Sequence, residues 1–103
     1  MRWDVRITDE AEDDLQDIFD YISIVLKEPG TAAKQIDRIL NAVDSLDSMP
    51  MRCRAYDEEP DLSKSLRVLP VDNYLILYLP DEKKYTVDIV RVIYGRRDVG
   101  GIL

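Results

Sequence analysis

Histidine is absent from the sequence. Its absence removes the commonest metal ligand and the usual side chain for moving protons near neutral pH. Cysteine occurs once, as Cys53, so no disulfide closes within the chain and a reducing cytoplasm is the expected setting. With no histidine and one thiol, neither a metal nor a cofactor is expected. No apolar run approaches the ~20 residues of a membrane span, and the first residues, MRWDVRITDEAEDD, lack the apolar core of a secretion signal. No membrane contact is therefore expected. Repeats, linkers and low-complexity stretches are also missing, and 103 residues read as one domain, residues 1–103. Positive charge is in short supply: 14 Lys and Arg face 21 Asp and Glu, for a net charge of −7. That balance argues against the chain as a whole gripping a phosphate backbone.

What is present describes an ordinary globular chain, with 46% apolar and 34% charged residues. Its charge is unevenly spread. Residues 1–50 hold 12 acids and 5 bases, whereas residues 51–103 hold 9 of each. An acidic first half and a neutral, arginine-bearing second half suggest two surfaces with different partners.

Residues 2–7, RWDVRI, alternate Trp3, Val5 and Ile7 with Arg2, Asp4 and Arg6, the period of a half-buried strand. Thr8 fits a helix N-cap, with Asp9 and Glu10 in the first turn where the helix dipole favours negative charge. Ala11, Leu15, Ile18, Ile22 and Val25 then form an apolar stripe, widened by Phe19 and Leu26, opposite Asp13, Asp14, Asp17 and Asp20. This predicts a helix over about 9–27, stopped at Glu28-Pro29-Gly30. A second helix is predicted from about Thr31 to just before Pro50, on the stripe Ile36, Ile39, Leu40, Val43 and Leu46. Residues 51–64 show no period and read as a long connection. Three strands follow, at 65–70, 73–79 and 85–94, joined by Val71-Asp72 and by Pro80–Lys84, so they form an antiparallel meander. The expected fold is α+β in the order β-α-α-β-β-β: a helical hairpin packed on one face of a small, mainly antiparallel sheet. Pattern alone leaves the partner of the first strand open.

The last strand belongs to YTVDIVRVIYGRRD (85–98), the most β-prone run in the chain. It is apolar on both faces except at Arg91, which is expected to pair with a nearby carboxylate, and it ends at Gly95 before Arg96, Arg97 and Asp98. The bland reading of that arginine pair is a surface cluster worth ~0–1 kcal/mol. Tyr74, Tyr78, Tyr85 and Tyr94 read as sheet packing before they read as a base-stacking platform. The acidic helix face reads as a solvated one.

Taken in order, AEDDLQDIFDYI (11–22), LRVLPVDNYLILY (66–78), DEKK (81–84) and VDIVRVIYGRRD (87–98) resemble the RelE/ParE superfamily of type II toxin–antitoxin toxins, of the plasmid-stabilisation type. The resemblance implies a growth-inhibiting toxin silenced by a cognate antitoxin. It implies one of two targets: ribosome-bound mRNA, cut without metal as RelE-like endoribonucleases do, or DNA gyrase, poisoned as ParE-like members do. By the resemblance, Arg97 stands where RelE-type toxins carry a catalytic arginine, and Arg67 near a basic residue of the second strand. Leu75 occupies a position where the ribonucleases carry arginine, and Leu103 lies near their C-terminal tyrosine. DDLQDIFDYI is closer in style to the ParE-like members.

Cleavage of RNA by its own 2′-OH needs a base, an acid and cations for the developing charge. Arg67, Arg96 and Arg97 supply the cations. Without histidine, the base falls to a carboxylate such as Glu59, or to a lysine or tyrosine, and Tyr94 or Tyr56 is placed to stack on a base or give a proton. The candidate catalytic set is thus Arg97, Arg67, Arg96, Tyr94 and Glu59. The sequence pI of about 4.5 keeps open an alternative, a catalytically inactive toxin-fold protein acting as a protein-interaction module.

Overall fold

A computed structural model describes residues 2–53 and 66–95. The chain runs β1 (Asp4–Ile7), α1 (Asp9–Asp20), α2 (Pro29–Asp44), β2 (Arg67–Val71), β3 (Tyr74–Asp81) and β4 (Thr86–Tyr94). This is the α+β order expected from the sequence. The strands make one mixed sheet in the order β1-β4-β3-β2. β2, β3 and β4 form the meander, and β1 lies parallel to β4 with Val5 opposite Val87 and Ile7 opposite Ile89. The last strand in sequence is therefore flanked on both sides in space.

Both helices turn their apolar stripes onto the same sheet face. Ala11, Ile39, Val43 and Leu46 meet Ile76, Tyr78, Val87, Ile89 and Val92 in one buried cluster. Val68, Leu75 and Leu77 form a smaller buried cluster on the other face, as alternation along a strand requires.

Thr8 joins β1 to α1 and both to β4. Its Oγ1 accepts the Ala11 N–H at 3.2 Å, capping the helix, while its hydroxyl and backbone N–H donate to the Ile89 carbonyl at 2.8 and 3.1 Å. Beyond Ile89 the β1 neighbour has ended and β4 carries a bulge: Leu77 faces Arg91 and Tyr78 faces Ile89, so Val90 is skipped. Asp14 covers the exposed edge. Its carboxylate accepts the Val92 N–H at 2.9 Å and both Nε and a terminal nitrogen of Arg91, at 2.7 and 2.8 Å. The pairing expected of Arg91 is present, and Asp14 is correspondingly not on a solvated face.

Several boundaries differ from the sequence reading. The first helix does not run evenly to residue 27. It opens into a π-helical turn, Tyr21–Val25, in which the Leu26 N–H donates to the Tyr21 carbonyl. The extra residue in that turn rotates the chain, so Ile22 stays buried but Val25, assigned to the same stripe, is 60% exposed. Lys27, at φ 58°, ends the segment in the left-handed region. α2 starts at Pro29 instead of Thr31, because proline suits the first helical position, where its missing N–H costs nothing. Pro80 does not stop β3, which continues to Asp81; Pro80 lies past Tyr78, the last residue of β3 paired with β2.

Candidate functional site

Two of the five candidate catalytic residues lie among the described residues, Arg67 and Tyr94; Glu59, Arg96 and Arg97 lie outside them. Arg67 pairs with Tyr78 across β2 and β3, whereas Tyr94 pairs with Tyr74. Four residues of β3 separate those positions, about 13 Å at the rise of a strand. Arg67 and Tyr94 are therefore not brought together.

Arg67 sits among buried polar groups. A terminal nitrogen donates to the Cys53 carbonyl, and its Nε is buried with no hydrogen-bond partner among the described residues. Beside it, the Tyr78 hydroxyl donates to the Pro50 carbonyl at 2.6 Å. Burial pushes the Tyr78 phenol far up, reinforced by a side-chain hydrogen bond with Cys53. This group ties the short turn Pro50–Arg52 to the sheet.

Tyr94 borders something different. At the end of the sheet where β3 begins and β4 finishes, a groove of about 720 Å³ opens between the strands, α1 and the π-helical turn. Its apolar part is Ile18, Ile22 and Leu26, and its aromatic part is Tyr21, Tyr74 and Tyr94. Asp17, Thr31 and Asn73 add polar groups. Tyr74 and Tyr94 meet edge to face, with ring centroids 5.6 Å apart and planes at 73°, the arrangement that aligns a ring edge with a ring face. Burial raises the Tyr74 phenol above its ordinary range, and the phenols of Tyr94 and Tyr21 raise it further.

Hydrogen bonds tie down the turn beside the groove. Asp72, in the turn between β2 and β3 at φ 55°, accepts Nε2 of Gln35 at 2.9 Å and Nε of Arg38 at 2.8 Å. These bonds hold the turn to α2. The next residue, Asn73, accepts the Gly95 N–H on its carbonyl at 3.0 Å, which fixes the end of β4. Beside the groove, Ile24 and Val25 stand 66% and 60% exposed, extending the lining residues Tyr21 and Leu26 into an apolar patch.

Sequence reasoning passed over Asp17, Tyr21, Leu26, Thr31 and Asn73 as a site, because they come from three separate elements and share no spacing. The available signal was Ile24, an apolar residue that the stripe from Ala11 to Val25 does not account for. Among the described residues no group of His, Cys, Asp or Glu is placed to hold a metal ion, and no helix is long and apolar enough to cross a membrane. What the groove offers chemically is adhesion: apolar area, three phenol rings and one carboxylate.

Residues 5–99 match the model of a family described as the ParE toxin of type II toxin–antitoxin system, parDE. Among curated proteins no sequence matches. Among solved structures, the chain is similar to one from a chromosomal ParDE toxin–antitoxin system of P. aeruginosa, with 21% identity, a TM-score of 0.75, and coverage of 90% of this chain and 96% of that one. It is similar to one from the RelBE2 toxin–antitoxin complex of Mycobacterium tuberculosis, with 21% identity, a TM-score of 0.63, and coverage of 93% and 94%. The archaeal RelE–RelB complex of Pyrococcus horikoshii OT3 gives 18% identity, a TM-score of 0.63, and coverage of 93% and 97%.

Proposed function

This chain belongs to the family of ParE toxins of type II toxin–antitoxin systems, and from that premise we propose that it inhibits growth by poisoning DNA gyrase in the cytoplasm and is silenced by a cognate antitoxin. The observation that carries the reading is the match to the ParE family across residues 5–99. Three features support gyrase over ribosome-bound mRNA. Leu75, where the resemblance places an arginine in RelE-like ribonucleases, is buried with Val68 and Leu77 on the second face of the sheet. Arg67 spends a guanidinium nitrogen on the Cys53 carbonyl. The net charge of −7 opposes entry into a phosphate-rich site. Arg96 and Arg97, which follow Gly95 in sequence, are the cations we assign to target contact; as proton-transfer groups, Glu59 and Tyr94 would serve only the nuclease alternative.

Induction of the chain alone is expected to arrest growth, and co-expression of the product of the adjacent reading frame to restore it. No arrest under induction overturns toxicity and leaves the inactive interaction module. Incubation with purified gyrase and plasmid is expected to accumulate cleaved DNA. Cuts in ribosome-bound message by primer extension, abolished by Arg97→Ala, would instead establish the nuclease.

A further inference from the structure

We propose that Asp72 is a positioning residue for the arginine pair Arg96 and Arg97: held by α2, it sets the point at which the chain leaves the sheet. This rests on the reading above that those arginines contact gyrase. Both lie outside the described residues, and the structure shows what holds the residues just before them. The Gly95 N–H donates to the Asn73 carbonyl at 3.0 Å, and Tyr94 meets Tyr74 edge to face. Leu75 fills the space beside Gly95, where a Cβ would collide with the leucine side chain. The end of β4 is thus set by Asn73 and the first two residues of β3.

Asp72 in turn sets where those residues stand relative to α2. Its carboxylate accepts Nε2 of Gln35 at 2.9 Å and Nε of Arg38 at 2.8 Å, and Gln35 is itself buried. A two-residue hairpin turn closes without such bonds, and glycine takes a left-handed position at less cost than aspartate. The sequence instead places aspartate there, at φ 55°, and commits a buried glutamine and an arginine to its carboxylate. What the bonds add is the location of the hairpin tip, docked on α2 by a charge-assisted contact. The path from α2 to the arginine pair is short: Gln35 and Arg38, Asp72, Asn73, Gly95. Groups that act on a target lose effect when displaced by as little as about 1 Å. Holding the point of departure restricts the places from which Arg96 and Arg97 can reach gyrase.

The test uses the purified full chain, with thermal melting to show that each variant folds. Asp72→Gly deletes the carboxylate and keeps a residue suited to the left-handed turn, so a role in turn shape alone leaves every readout unchanged. The Gly95 amide of this variant is expected to exchange with solvent about tenfold faster, while the Val92 amide, bonded to Asp14, keeps its native rate. Cleaved plasmid accumulated with gyrase, per folded molecule, is expected to fall about fivefold. Gln35→Leu combined with Arg38→Ala removes the same anchor from the helix side and is expected to reproduce both effects. Asp72→Asn, which keeps an acceptor, is expected to stay within about twofold of the native chain. Native cleavage by Asp72→Gly overturns the proposal, whatever Gly95 does. Lost cleavage with Gly95 exchange unchanged also overturns it, and would place Asp72 in target contact itself. A native chain that accumulates no cleaved plasmid overturns the gyrase reading and the proposal together; a native chain and a variant that cleave equally overturn the proposal alone.

Discussion

Asp14 gives one carboxylate to Arg91 and to the Val92 N–H at once, standing in for a strand that β1 does not supply. Charge-assisted bonds of this kind contribute about 1.5–3 kcal/mol, so Asp14→Ala is expected to lower unfolding free energy by about 2 kcal/mol in urea melts. Arg91→Ala should cost less, because the Val92 bond survives. Burial raises the Asp14 pKa, but the Arg91 bond, the Val92 N–H and the Arg91 charge together outweigh it, and the net shift is downward. Asp72 shifts the same way, through Arg38 first and then Gln35. A carboxyl lowered on folding stabilises at pH above its unfolded value of about 3.9 and loses that contribution as pH falls through the folded one. Stability is therefore expected to fall with acid below about pH 4, and less steeply in the Asp14→Asn, Asp72→Asn double variant. Gly95 makes a steric demand instead: a Cβ there would lie 2.1 Å from Cγ of Leu75. Gly95→Ala is expected to cost about 1–3 kcal/mol, partly recovered when Leu75→Ala is added. From sequence, the ion pair at Arg91 was legible because a charge on a two-sided apolar strand needs a partner; that the partner was Asp14 was not, since helix α1 carries five aspartates.

At the scale of elements, the π-helical turn divides residues that periodicity had joined. Ile22 is buried while Ile24 and Val25 are 66% and 60% exposed. Ile22→Ala is expected to cost about 2–4 kcal/mol, and Ile24→Ser or Val25→Ser no more than about 0.5 kcal/mol, by chemical denaturation. The helices and the meander were readable because apolar spacing and short turns are local signals. The widened turn was not, because Tyr21–Val25 carries no proline or glycine to mark it. The groove was illegible for a related reason: it exists only where the widened turn, the start of α2 and the Asp72-anchored hairpin converge. Tyr78 links two further elements through the Pro50 carbonyl. Tyr78→Phe leaves that carbonyl unpaired and is expected to cost about 1–2 kcal/mol.

At the scale of the molecule, the uneven charge of the sequence acquires a place. The acidic half becomes the hairpin and the groove rim, and the neutral half becomes most of the sheet. The position of β1 was the one topological choice that four alternating residues did not specify, and its parallel seat beside β4 has a temporal meaning. Ile7 and its neighbours are made before the other strands, and their partners, Thr86–Ile89, follow about 80 residues later, an interval of roughly 4–16 s at ordinary rates of synthesis. The helical hairpin can form early from local contacts, but the sheet it must cover closes only through the most distant pairing in the chain, the slow kind. A nascent chain of this design keeps an incomplete sheet until β4 is synthesised. The cell thus has seconds in which the protein exists without its finished surface.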